Sequence, residues 1–290
     1  MKKYITIIVW LSGLFFVFAQ EPTKEEKLDN LLDELFFDED QMIEELMNSL
    51  KNYQFLYVSM TYNSDTYFAG RDIGIDQYNI APQLTYAHSN GFYASLSGIY
   101  YSEFDPNWDV TTVSLGFSKN IGKQKLFKYN VSFAKYFYAN QDDNIFSNTI
   151  NAGIGVRSKN RSIGTQLTGS YLFGEDQSFQ ISSRTYVSLD LVKNKKMSLK
   201  FRPQINIIAG KQTIELARIY TEHGETITDY TTNDVFDLIN TQLNFPLQLN
   251  LNSFDVELGY NINLPSALES EIAVDNTGFF NLTVSYLIDL

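Results

Sequence analysis

The chain has 290 residues, a net charge of −12 and no cysteine. It therefore uses neither disulfides nor thiolate ligands, and an exported chain of this size has to be held by burial and hydrogen bonding. The acidic balance, with no basic patch, phosphate-binding glycine loop or metal-ligand pair, argues against nucleic acid as a partner and gives no site for a cofactor or a metal.

Lys2 and Lys3 precede an apolar run from Tyr4 to Phe18, and Val17 and Ala19 stand at the −3 and −1 positions of a cut before Gln20. This layout predicts a secretory signal over residues 1–19. The run is short for a spanning anchor, and no later apolar stretch reaches the ~20 residues that a membrane helix needs.

Residues 20–51 form a segment of different character. Eleven acids against three lysines give 21–51 a net −8 and the leader's two lysines give +2, which leaves residues 52–290 with −6 of the total −12. Leu28, Leu32, Leu35, Ile43 and Leu46 recur at helical spacing, and Asp38 with Gln41 resembles a capping box. The segment reads as an acidic amphipathic helical arm. Its apolar residues would dock on a partner or on the mouth of the next domain; the plainer alternative is a flexible leader or an amphipathic lid.

From Tyr53 the period becomes two. Phe254, Val256, Leu258, Tyr260, Ile262 and Leu264 alternate with Asp255, Glu257, Gly259, Asn261 and Asn263, and the same rhythm recurs down the chain. It predicts twelve strands, over 53–63, 77–88, 92–103, 108–119, 126–139, 145–157, 162–173, 178–192, 197–210, 236–250, 253–264 and 278–290. Soluble strands usually run ~5–6 residues, whereas strands that cross a bilayer need ~9–11. Length therefore favours a single antiparallel transmembrane barrel over 52–290. An even strand number puts both termini at one end.

The turns support that count. Those on the side of the termini are short and carry Lys119, Lys123, Lys125, Arg157, Lys159, Arg161, Lys193, Lys195 and Lys196, with no acid. The opposite set includes the long connections 64–76, 211–235 and 265–277 and is strongly acidic. A solvated sandwich has no reason to sort charge by alternate turns.

The signal, the barrel and the terminal strand Gly278–Leu290 together resemble a small Gram-negative outer-membrane β-barrel protein of porin-like architecture. The last strand ends in Leu290 where such proteins more often end in Phe or Trp. The resemblance implies a Gram-negative cell outer membrane, lipid and lipopolysaccharide around the wall, a C-terminal strand read by the barrel-assembly machinery, and both termini in the periplasm. The arm at 21–51 would then meet any periplasmic partner.

Alternation assigns an inner face to Asn79, Gln83, Arg184, Asp190, Lys200, Arg202, Gln204, Asn206, Gln242, Asn244, Asp255, Glu257 and Asn261. These residues would either line a narrow aqueous path for small hydrophilic solutes or pair across the interior and fill it. Passive transport is the leading reading, a structural or partner-binding barrel the second. A lipid-modifying enzyme is third: outer-membrane phospholipase A shares only the strand number, and neither His88, at the periplasmic end of its strand next to Ser89 in a turn, nor His223, mid-loop, sits on the strand face at the outer half of the barrel that its Ser/His chemistry needs. Acids in the loops, Asp105 with Asp109 and Asp142 with Asp143, lack ordered ligand spacing. Lys135 falls on the outer face of its strand, which requires either snorkelling or a bulge.

Overall fold

The computed structural model describes residues 54–290 except 68, 73, 123, 140–145, 195–196, 223–224, 252 and 268–273, and only the backbone over 212–222 and 225–235. The signal and the acidic arm, with Leu28, Leu32, Leu35, Ile43 and Leu46, lie outside the described residues, as do His223 and Asp142–Asp143.

Fifteen β segments follow one another: β1 (Gln54–Asn63), β2 (Asn79–His88), β3 (Phe92–Tyr101), β4 (Trp108–Ile121), β5 (Phe127–Tyr138), β6 (Phe146–Arg157), β7 (Ile163–Gly174), β8 (Gln177–Val187), β9 (Leu189–Lys193), β10 (Ser198–Phe201), β11 (Gln204–Glu222), β12 (Glu225–Asn244), β13 (Leu247–Leu251), β14 (Phe254–Pro265) and β15 (Thr277–Asp289). All lie in one sheet with antiparallel neighbours. β1 pairs with β15 from Phe55↔Asp289 to Asn63↔Asn281, which closes the sheet on itself. Three pairs of segments, β8 with β9, β10 with β11 and β12 with β13, are each one barrel strand with a local break. The fold is a closed twelve-stranded antiparallel β-barrel. Closure removes the open edges that expose unpaired backbone groups.

Two of the three breaks fall at prolines, and the third, at Ser188, lies across from one of them. β10 gives way to β11 at Arg202–Pro203, and β12 to β13 at Phe245–Pro246. Proline has no N–H to give to a ladder. The neighbouring bonds are kept by the proline carbonyls: Arg202 N donates to Pro246 O at 3.1 Å and Val187 N to Pro203 O at 3.0 Å. One kink line therefore runs through Ser188, Pro203 and Pro246. The sequence pattern treated each of these strands as unbroken.

The stretch 211–235 departs from expectation in another way. It was expected as a long loop, but β11 runs on to Glu222 and β12 starts at Glu225, in register from Lys211↔Phe236 to Glu222↔Glu225. This is a hairpin extended beyond the ends of its neighbours. Its many polar and acidic residues made the stretch read as a loop.

The first and last described residues share one end, where Leu290 N donates to Gln54 O at 3.0 Å. At that end the turns are tight. Gly91, at φ 112°, closes the first with its N–H on His88 O at 3.0 Å. At the distal end Ser64–Tyr78 folds back across the mouth rather than away from it. Thr66 and Gln77 are buried there, Thr277 Oγ1 donates to Gly70 O at 2.9 Å, and Arg71 Nη2 donates to Ser266 O at 2.7 Å.

The two faces of the wall are inverted relative to a water-soluble protein. Outward residues such as Val58, Met60, Leu84, Leu96, Leu115, Val131, Ile154, Leu167 and Leu258 are exposed, and the inward ones are mostly polar and buried. Aromatic residues gather toward both rims. Tyr62–Tyr78 (5.7 Å between ring centroids), Tyr260–Phe280 (4.7 Å) and Tyr171–Phe173 (5.6 Å) lie at the distal rim, and Phe117–Tyr129 (6.4 Å) near the termini. Along β5, Tyr129 and Phe137 are eight residues apart, about 26 Å at ~3.3 Å per residue. Lys135 stays on the outer face with no bulge, its register continuous with Val113 and Asn148. Its ammonium lies 5.5 Å from the Phe137 ring centroid, toward the distal rim.

Candidate functional site: the barrel interior

The inner wall is built from two unlike halves. On β3 to β7 it is made of small groups: Ser95, Gly116, Ser118, Ser132, Thr149, Gly153, Gly155 and Gly164. These leave room for a few large side chains laid across the wall. Tyr93 is fully buried over Gly116, and a Cβ on Gly164 would come within 2.5 Å of the Tyr186 ring. From β8 to β15 the inward positions hold long amides and charges.

Those amides bond in a chain from strand to strand. Arg184 Nε donates to Asn206 Oδ1 at 2.8 Å. Asn206 Nδ2 donates to Asn244 Oδ1 at 2.9 Å and to Gln242 Oε1 at 3.3 Å. Asn244 Nδ2 donates to Asn261 Oδ1, and Asn261 Nδ2 to Asn281 Oδ1 at 2.8 Å. Asn281 and Gln248 then both donate to the Glu257 carboxylate, at 3.2 and 3.1 Å. A parallel branch links Asn240 and Gln242 to Asn263 Oδ1, at 3.2 and 3.0 Å, and Asn263 Nδ2 to Thr277 Oγ1 at 3.0 Å. From Thr277 it reaches the inturned distal loop. Such amides satisfy one another at low cost only while every link is present.

Charge sits along the kink line. Lys200 Nζ lies 3.5 Å from Asp190, whose side chain is 57% exposed. An ion pair that open to solvent contributes at most ~1 kcal/mol. The Arg202 guanidinium stacks 4.3 Å from the Tyr186 ring centroid, and Arg202 is only 2% exposed.

Each residue singled out from the sequence has a definite place. Arg184, Lys200, Arg202, Gln204, Asn206, Gln242, Asn244, Asp255, Glu257 and Asn261 share the inner face of β8 to β14, ten of them on contiguous strands. Asn79 and Gln83 lie apart on β2. Asn79 bonds Asn63 and Thr66, and Gln83 donates to Thr85 Oγ1 at 2.9 Å. Asp190 pairs with Lys200 across the strands and bonds it on the same face, with its side chain more exposed than the others.

Two inner cations escaped the sequence reading. Lys128 and Arg157 join Arg184, Gln166, Tyr186 and the glycines 155 and 164 around a cavity of about 20 Å³. Lys128 was legible, since it alternates with Asn130 and Ser132 on the polar face of β5. Arg157 had been counted as a turn residue. The interior is also unevenly open. Asn151, Gln166, Thr168, Ser170 and Ser182 on β6 to β8 are half-buried. On the opposite side Gln248, Asn250, Asp255, Asn261, Asn263 and Ser285 are at most 5% exposed.

Of the two histidines, His88 is described: its Nδ1 accepts from Asn90 N at 3.1 Å within a hairpin turn. Among the described residues no group of three or more His, Asp or Glu is placed to hold a metal ion.

No family model matches the chain, and no curated protein matches it. Solved structures do. The NanC porin is 9% identical with a TM-score of 0.46, covering 80% of this chain and 98% of its own. The KdgM porin is 8% identical with a TM-score of 0.43 and covers 80% and 98%. The COG4313 outer membrane channel from Pseudomonas putida F1 is 13% identical with a TM-score of 0.45 and covers 82% and 97%.

Proposed function

We propose that this protein is an outer-membrane channel that passes small hydrophilic solutes through a narrow, polar lumen. The observation that carries the reading is the inversion of the wall. A continuous exposed apolar outer face between two aromatic rims fits lipid, and an amide- and charge-lined interior fits water and polar solutes. The N-terminal signal layout supports export. The basic turns beside the termini and the acidic loops at the other end support termini in the periplasm, with the loop Ser64–Tyr78 at the external mouth. In this reading lipid and lipopolysaccharide contact the wall, the assembly machinery reads β15, and the lumen needs no cofactor.

The test is planar-bilayer recording on the purified full chain. Discrete conductance steps are expected, small because the loop and the amide chain narrow the bore. Absence of current above the bare bilayer, from protein shown to be folded, would overturn it.

The close burial of Gln248, Asn263, Asp255 and Arg202 favours a second reading, a non-conducting barrel that serves as a scaffold for a periplasmic partner of the acidic arm. Folded protein that carries no current and retains a partner through residues 21–51 would support it.

A further inference from the structure

A groove crosses the outer wall over β1 to β4. Its volume is about 720 Å³, within the ~300–1,000 Å³ of sites that hold a small ligand. The floor is cut by small residues. The β2–β3 register passes from Ile80↔Tyr100 to Gln83↔Ser97, which sets Pro82 opposite Gly98, and Gly98 pairs in turn with Thr111. The banks are Met60, Leu84 and Leu96, which stand 56%, 42% and 48% exposed. Trp108 bounds the distal side. Its ring lies over Gly98, where any Cβ would collide with it, and its Nε1 donates to Thr111 Oγ1 at 2.9 Å. A ring held in that way leaves the groove formed before anything enters it.

The groove has a direction. Tyr286, Val58, Leu84, Leu96, Val113 and Lys135 form one row of paired residues across six strands, and Phe254 extends it beyond Tyr286. Phe254 is the first residue of β14 at the end that carries Gln54 and Leu290, whereas Lys135 is the ninth of β5 from that end. The row therefore climbs toward the distal rim, and Lys135 stands at its upper end, two strand spacings or ~10 Å from Leu96. The Lys135 ammonium rests near the Phe137 ring, and Phe137 pairs with Thr111 of the floor. A hydrocarbon chain laid along the groove would run from the depth of the wall up to a cation at the interface. That is the order of an anionic lipid, tail below and head above. A lysine receives a phosphate as a point charge, and basic groups beside a membrane-embedded wall hold lipid head groups.

We propose that this groove binds lipopolysaccharide, with one acyl chain over Pro82 and Gly98 and a lipid A phosphate on the Lys135 ammonium. The inference rests on the proposed outer-membrane setting, in which the distal rim faces the lipopolysaccharide leaflet, and not on conduction.

Trp10 and Trp108 are the two tryptophans of the chain, so in full chain carrying Trp10→Phe the fluorescence reports the groove alone. The protein is folded into phosphatidylcholine vesicles with brominated acyl chains, which quench an indole they touch, and unbrominated lipid A is added as competitor. Heat-shifted gel mobility checks that each variant is folded. Lipid A is expected to restore Trp108 fluorescence at a mole fraction about fivefold below the one phosphatidylglycerol needs, the size of one exposed ion pair. Lys135→Gln should abolish that advantage and Lys135→Arg should keep it. A chain with Trp108→Phe and Leu167→Trp, its indole on another stretch of the outer wall, should show none. Equal midpoints for lipid A and phosphatidylglycerol, or an advantage that survives Lys135→Gln, overturn the site. So does weak quenching of Trp108 by brominated lipid alone while the Leu167→Trp reporter is strongly quenched, since protein would then cover the groove. Absence of quenching at both positions would overturn the membrane setting and the site with it. Failed conductance with a retained lipid A advantage would sink the channel and leave the site standing.

Discussion

Asn240 and Gly70 touch across the distal mouth: a Cβ placed on Gly70 would lie 2.6 Å from the Asn240 side chain. Gly70 also has a φ of 81°, a conformation that side chains resist. The loop Ser64–Tyr78 is therefore seated on the inner wall through a position that accepts only glycine. Gly70→Val is expected to lift the loop from its seat while the twelve strands stay intact. In bilayer recordings the variant should conduct more than the parent chain by a factor of two or more. Equal conductance would show that the loop does not limit flow.

Asn206 holds both Arg184 and the amide chain. Truncation in Asn206→Ala takes away the acceptor of the Arg184 Nε proton and two amide links, and leaving buried polar groups short of partners costs ~1–3 kcal/mol. Urea titration of the barrel folded in lipid vesicles should show a loss of that size. Asn206→Asp keeps the acceptor and adds a countercharge, so it should lose less than the alanine variant.

Lys135 tests the outer wall. A lysine costs ~2–4 kcal/mol at the bilayer midplane but only ~0–1 near an interface. Its place beside Phe137 at the distal rim puts it in the second class, with its stem along the wall and its ammonium reaching the interface. Lys135→Leu should therefore change vesicle-folding stability by no more than about 1 kcal/mol. A gain of several would place the residue deep in the bilayer and shift the whole barrel along its axis.

Tyr67 gives the distal loop a pH response. Burial first, then its bond to Asp65 Oδ2 (2.7 Å) and the nearby acids, push its phenol up from 10.0 to about 12. A raised value means that the protonated phenol stabilises the seated loop. That contribution is complete below pH 10 and is lost as pH rises through 12. The difference in 295 nm absorbance between the parent chain and Tyr67→Phe should titrate near 12, and a midpoint near 10 would contradict the contact.

The barrel was legible because its strands are long and alternate without a lapse: the inner set Asp255, Glu257, Asn261 keeps one parity along β14, and Lys128, Asn130, Ser132 another along β5. Turn lengths and the charge of alternate turns then set the strand number. The breaks at Pro203 and Pro246 were not legible, because alternation of side chains continues through a missing N–H. The hairpin over 211–235 was hidden because its polar and acidic sequence reads as a loop. The cation cluster could not be read either: Lys128, Arg157 and Arg184 come from three strands, and only the stagger of the barrel decides which rows meet.

The unequal halves of the inner wall bear on how such a bore could diversify. Glycines and hydroxyls on β3 to β7 are fixed by what lies across them, as Tyr93 lies on Gly116 and Tyr186 on Gly164, so exchange there would obstruct assembly. The amides of β11 to β15 touch mainly one another and can be traded in matched sets. Permeation preference would then drift by rewriting one side of the tube, with the other side acting as an invariant mould.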